Sequence, residues 1–340
     1  MPNNRVTYAI SQLAFKENGA TPGRDVLPLS ESGVNPSGYW EVPRGVQSVA
    51  SNVNFNIEPV FELGKEAVYE NIEGIPDVEL SVTRVFDGTH PLYLIASDEA
   101  FTTLRGRNEQ YKTDIALNIY PDTNSNAEGD EVNAVYCSGM FLSSLTLNFP
   151  TDGNFTEELT FVGNNRFWSN IKAGGSMPSG NFPSGVIEAD EDPTVNVGNL
   201  DGVQRRENFD VDASTFPTEI PSGECITNIT VSADLGREDI FCLGSKSPEL
   251  RFLTLPIEVT TTIEVITSDG DDVEADGSTD NLSNQTIILV TTEGLTVNLG
   301  TQNKLSTMDF GNLEAGTGQA TVTYTYVNQN DLTITHADYL

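Results

Sequence analysis

The chain has 340 residues, with 50 acids against 17 bases, two histidines and a formal charge of −33. That balance weighs against wrapping DNA or binding an anionic membrane, since both need basic patches. It does not weigh against DNA passing nearby, because a wall that lets DNA slide should repel phosphates. No apolar run approaches a membrane span and the first residues do not form a secretory signal, so the expectation is folding in the cytoplasm.

Thr, Val, Asn and Gly are abundant and helical periodicity is scarce, which predicts an all-β chain with many turns and one minor helix. In chain order, "RVTYAI" is already strand-like and "PRGVQSV" opens the next extended stretch at Pro43. "EPVFELG" ends at Gly64, and "IPDVELSV" is a strand that runs to Asp87-Gly88. Ser97 is a candidate N-cap with Asp98 and Glu99 in the first turn, and Phe101 and Leu104 share a face, so a helix is predicted near 97–111. From Ser144 to Trp168 the chain alternates through Leu145, Leu147 and Phe149, turns at Pro150–Gly153, and alternates again through Leu159 and Phe161. This is a hairpin pattern. Residues 169–218 carry "GGSMPSGNFPSG" and "EADEDPTVNVGN", the composition of a linker or exposed excursion.

The two sides of that segment rhyme. Phe61-Glu62-Leu63-Gly64 matches Phe241-Cys242-Leu243-Gly244 at an offset of 180, which also carries Pro76 onto Pro256. "PRGVQSV" resembles "PSGECIT" from Pro221. Leu142-Ser143-Ser144-Leu145 matches Leu305-Ser306-Thr307-Met308 at an offset of 163, which pairs Gly153 with Gly316, Thr160 with Thr323 and Phe161 with Tyr324. The blocks keep their order, so the expectation is an internal duplication: a first domain over 1–168, a linker over 169–220 and a second domain over 221–340. "DGDDVEADGSTDN" stands where the second copy of the helix would lie and reads as a loop.

Residues that could carry chemistry are few. His90 and His336 have no nucleophile elbow to serve. Glu62, Glu79, Glu157 and Glu158 lie in or beside strands and could supply a carboxylate pair for glycoside hydrolysis, but Trp40 and Trp168 are a thin supply for a sugar cleft. From Asp272 the chain reads D-x-E-x-D-G, like the start of a calcium loop, but Ser283 stands where a bidentate Glu is needed. Cys137, Cys225 and Cys242 form no CxxC and are expected to be buried free thiols. The sequons at Asn154, Asn228, Asn281 and Asn284 carry no weight in a cytoplasmic chain. No phosphate-binding or dinucleotide fingerprint is placed between a strand and a helix. No catalytic, cofactor-binding or metal residue is assigned.

"GVQSVASNVNFNIEPVFELGKEAVYENIEGIPDVELSVTRVFDG" resembles the tail tube (major tail) proteins of tailed bacteriophages. So do "SSLTLNFPTDGNFTEELTFVGNN" and "GLTVNLGTQNKLSTMDFGNLEAGTGQATVTYTYVNQNDLTI". The resemblance covers most of 45–165 and 221–334. It implies a small β-barrel or β-sandwich with a flanking helix, six such units around a lumen, and rings that stack into the conduit for DNA ejection. It implies a virion protein assembled in the bacterial cytoplasm, with itself as main partner and sheath, tape measure, terminator and baseplate proteins as neighbours. DNA would pass without specific binding. Two tube-like units per chain would need three chains per ring, and one unit per chain would need six. The rival readings are a terminator or baseplate tube protein, a carbohydrate-binding adhesin sandwich, and a carboxylate hydrolase.

Overall fold

The computed structural model describes residues 6–17, 43–123, 133–169, 203–244, 248–267, 273, 282–311 and 320–337. The fold is all-β: strands make up 55% of it, against two short helices. The first half holds β1 (Ser11–Glu17), β2 (Val46–Asn54), β3 (Ile57–Phe61), β4 (Val68–Glu73), β5 (Asp77–Val85), α1 (Leu92–Ile95), α2 (Leu104–Asn108), β6 (Thr113–Ile119), β7 (Asn133–Pro150), β8 (Thr156–Gly163) and β9 (Arg166–Ser169). The second holds β10 (Cys225–Asp234), β11 (Glu238–Phe241), β12 (Pro248–Phe252), β13 (Glu258–Ile266), β14 (Ile288–Val290), β15 (Leu295–Asn298), β16 (Lys304–Phe310), β17 (Thr321–Gln329) and β18 (Thr333–His336).

The main sheet runs β16-β17-β13-β10-β7-β8-β5-β2. Period-two sequences make it two-faced: along β5, Val78, Leu80 and Val82 are buried while Glu79 is exposed and Ser81 and Thr83 are half-buried. β7 is long enough to serve two sheets. Its first part pairs with β6 and β9, its second with β8 and β10. It bends at Gly139 (φ +65°), a left-handed conformation that favours glycine. Asp114 holds the bend, its Oδ1 accepting from Ser138 Oγ (2.7 Å) and Gly139 N (2.9 Å). β14, β15 and β18 form a separate three-stranded sheet.

One buried apolar cluster draws on both halves, from Leu13 and Phe15 to Tyr324 and Ile334. Part of the segment between the halves joins it: the Phe209 ring lies 5.9 Å from Phe149, and Thr215 N donates to Ile288 O (2.7 Å).

Each half supplies four strands to the main sheet in the same order: β2-β5-β8-β7 and β10-β13-β17-β16. Their irregularities also coincide. Gln47 is the extra residue where β2 meets β5, and Thr227 where β10 meets β13. Ser143 is extra between β7 and β8, and Ser306 between β16 and β17. In the hairpins, Tyr69 and Glu249 are the residues skipped. A bulge costs a ladder position and re-aims its strand, so agreement at three bulges fixes which rungs correspond. Leu142 faces Phe161, and Leu305 faces Tyr326. The counterpart of Phe161 is therefore Tyr326, two residues beyond the Tyr324 that sequence offset suggests. The even shift keeps the aromatic on the core face.

The helix is also corrected. It does not run from Ser97; α1 ends at Ile95 and α2 covers only Leu104–Asn108, capped by Thr103 Oγ1, which accepts from Gly106 N (3.1 Å). Ser97 Oγ is occupied elsewhere, donating to Tyr93 O (2.6 Å) and accepting from Arg107 Nε (2.9 Å). Phe101 precedes α2 and is exposed.

Candidate assembly surfaces

Among the described residues three surfaces are open: a sheet face, two sheet edges and two hairpin tips. The first is the outward face of the main sheet. The ladder brings Asn52, Glu79, Val162 and Asn54, Asp77 together near one end, and Thr83, Glu158, Thr146, Ser232 and Thr260 into line across the middle. The next rung on this face runs through Asn148, Thr230, Thr262 and Thr325. Asp77, Glu79, Glu158, Asp234, Glu258, Glu264 and Asp309 share this face, with Lys304 the lone base on its strands among the described residues and Arg237 and Arg251 beside Asp77 and Glu79 at one end. It is a broad, hydroxyl-rich and acidic surface. Its hydroxyls also stitch the halves together, with Thr230 Oγ1 on Asn148 Oδ1 at 2.9 Å.

The second surface is the pair of sheet edges, β2 and β16, each bonded on one side among the described residues. The third is the hairpins β3–β4 and β11–β12. Gly64 (φ +90°) and Gly244 (φ +94°) turn their tips. Beside them Leu63 and Leu243 are fully exposed, and Phe61 and Phe241 more than half exposed. Burying a side chain of this size gains roughly 1.5–3 kcal/mol, so four of them left in water on two arms form surfaces that a partner would stabilise.

The candidate carboxylates separate. Glu62 sits at the first tip, paired with Lys65. Glu79 and Glu158 share the outward face, but Glu79 stands opposite Val162 and Glu158 opposite Thr83. Four residues along a strand are roughly 13 Å, beyond the 5–9.5 Å of a glycosidase pair. Glu157 is fully buried and accepts from Leu92 N (2.7 Å) and Tyr93 N (2.8 Å), capping α1. Desolvation raises its pKa, against the opposing pull of Arg84 and the two N–H groups. Arg84, its cross-strand neighbour, is buried and donates to His90 O (2.7 Å) and Asp87 Oδ1 (3.1 Å). The signal for both was in the alternation: Glu157 falls in phase with Phe155, Leu159 and Phe161, and Arg84 with Leu80 and Val82.

His336 is buried on β18 opposite Leu295, while His90 follows β5 in the other half. Cys137 is buried and its thiol is pushed up to about 11, chiefly by desolvation. The expectation of three buried thiols fails for Cys225 and Cys242, which are exposed because one opens β10 at its end and the other lies in a hairpin tip. Among the described residues no group of three or more His, Cys, Asp or Glu could hold a metal. The calcium-like stretch from Asp269 to Asp280 lies outside the described residues apart from Val273. Among the described residues no helix is long and apolar enough to cross a membrane. No protein-family model matches this chain, and no curated protein matches it.

Proposed function

We propose that the chain is a structural subunit that assembles into stacked rings forming a phage tail tube, with the acidic outward face of the main sheet lining the lumen. The observation that carries the reading is an eight-stranded sheet with one apolar face packed and, among the described residues, one hydroxyl-rich acidic face open and two edges unpaired. Such edges invite pairing with further copies, and a heterologous contact that closes gives a ring. The two strand quartets derive from duplication of one tube-like unit, so three chains supply six units. The resemblance to tail tube proteins in 45–165 and 221–334 points the same way.

The charge supports the lumen assignment. A duplex carries one phosphate charge per about 1.7 Å of axis, so carboxylates spread over the wall repel it and let it pass. The tips at Leu63 and Leu243 supply the apolar contact that ring-on-ring stacking needs to overcome repulsion between copies of charge −33.

Electron microscopy of the purified chain over a range of concentration and salt tests this. Stacked rings or hollow tubes with threefold class averages are expected. Single closed rings that never stack would replace the tube reading with a terminator or baseplate role. A particle that stays monomeric at all concentrations would overturn the proposal.

A further inference from the structure

The seam within the chain supplies a pattern for a seam between chains. Inside, β7 pairs antiparallel with β10: Ser144 faces Asp234, Leu145 faces Ala233, Thr146 faces Ser232 and Leu147 faces Val231. Leu145, Leu147, Val231 and Ala233 are buried to 1% exposure or less. The matched bulges make β16 the counterpart of β7 and β2 the counterpart of β10. Those two strands are the free edges among the described residues. Their core-facing residues are short of cover: Phe310, the counterpart of Leu147, is 44% exposed, and Val53, the counterpart of Ala233, is half-buried.

We infer that β16 of one copy pairs with β2 of the next in the register of the internal seam. Thr307 then faces Asn54, Met308 faces Val53, Asp309 faces Asn52 and Phe310 faces Ser51. The inference rests on the ring reading above and specifies its contact. In this register every pair keeps its face: Met308, Val53 and Phe310 join the core side, and Asn52, Asn54, Thr307 and Asp309 extend the acidic face. No like charges stand opposite one another.

A groove gives the second, independent observation. In the first half, Ser143, Val162 and Gly163 line a groove walled by Arg237, Asp239 and Arg251 from the other half's hairpin region. In the second half the corresponding Ser306, Val327 and Asn328 line a groove of about 430 Å³ that no hairpin walls among the described residues. The hairpin that would correspond is β3–β4, and its own chain leaves it exposed along nearly its whole length. With β2 of the next copy paired to β16, that copy's β3–β4 enters this groove as β11–β12 enters the first, Pro59 and Asn71 taking the places of Asp239 and Arg251.

The test is disulfide trapping in the full chain with Cys225→Ser and Cys242→Ser. Two matched double variants are made, Asn52→Cys with Asp309→Cys and Asn54→Cys with Thr307→Cys. A control, Asn52→Cys with Thr307→Cys, is two residues out of register on the same face. After mild oxidation, non-reducing gels should show covalent oligomers up to three chains from the matched pairs, at least tenfold more than from the control. The matched pairs report independently, so one that misfolds leaves the other to decide. Rings or tubes in micrographs of the same samples, with no preference for the matched pairs, would overturn this register and leave the ring reading standing. A monomer that neither cross-links nor forms rings would overturn both.

Discussion

The two strand quartets share order and bulges, yet one rung differs in kind. In the first half Arg84 faces Glu157, both buried; at the corresponding rung of the second, Val265 faces Val322, also both buried. Where the Arg84–Glu157 rung stands, α1 and the turn before it are tied down, Glu157 by two N–H groups of α1 and Arg84 by Asp87 and the carbonyl of His90. The valine rung offers no such donor or acceptor. Two side chains thus tie α1 and its turn to the frame in the first half. The hairpins differ in the same way. Both end in Phe-x-Leu-Gly, but Arg251 Nη2 ties β12 to Asp239 (2.7 Å) and Asn164 (3.0 Å), while β3 and β4 remain exposed. Local sequence makes an arm, and its neighbours decide whether the arm is fixed.

The largest effect should come from breaking the charged rung. Glu157→Val should cost about 3–5 kcal/mol, because it strips two buried N–H groups of α1 of their acceptor, while Arg84 keeps Asp87. Arg84→Val with Glu157→Val, which copies the valine rung, should cost less than Glu157→Val alone. Urea midpoints measure both, and a double variant less stable than the single would break the equivalence of the rungs.

Next comes the fixed hairpin. Arg237 lies over the Phe141 ring and donates to the carbonyls of Leu142 (2.7 and 2.9 Å) and Asn108 (2.8 Å). Arg237→Ala strips those carbonyls of their donors and should cost about 3 kcal/mol. Ile57→Ala, at the corresponding exposed position, should stay within about 0.5 kcal/mol. Equal losses would erase the contrast between the hairpins.

A smaller effect is pH-dependent. The pKa of Glu157 is raised in the folded chain, so the native state holds this proton more tightly than the unfolded one. Its contribution is full below the ordinary carboxylate range near 4.3 and is lost as pH rises through the raised folded value. The stability difference between the native chain and Glu157→Gln should therefore shift against the native chain across that window. A difference that is flat with pH would remove the desolvated carboxyl from the account.

The smallest change in stability belongs to the free tip. Leu63→Ser should leave the urea midpoint within about 0.5 kcal/mol, since the side chain touches little of its own chain. Under the tube reading the same substitution should stop rings stacking, as seen by sedimentation and microscopy. Normal tubes from this variant would deny the tip that role.

Alternation and turn chemistry are local, so the sequence by itself determined the strand-rich class and the hairpin after Ser144, while Gly64 and Gly244 stood out only as the ends of matched phrases. The bulge residues were present in the matched phrases, although nothing there marked them as bulges. Pairing between distant strands is not local, because it depends on which apolar faces can be buried together after loops of very different length have closed. Only the tertiary structure decided that Phe161 answers to Tyr326, since the β16–β17 connection is longer and absorbs the shift. It also decided that β7 and β10 join the halves through one sheet, and that acids scattered from Asp77 to Asp309 share a face. Glu157 shows the limit most plainly. Its phase with Phe155 and Leu159 marked it as inward-facing, but that it caps α1 could follow only once a helix from another part of the chain was packed against it.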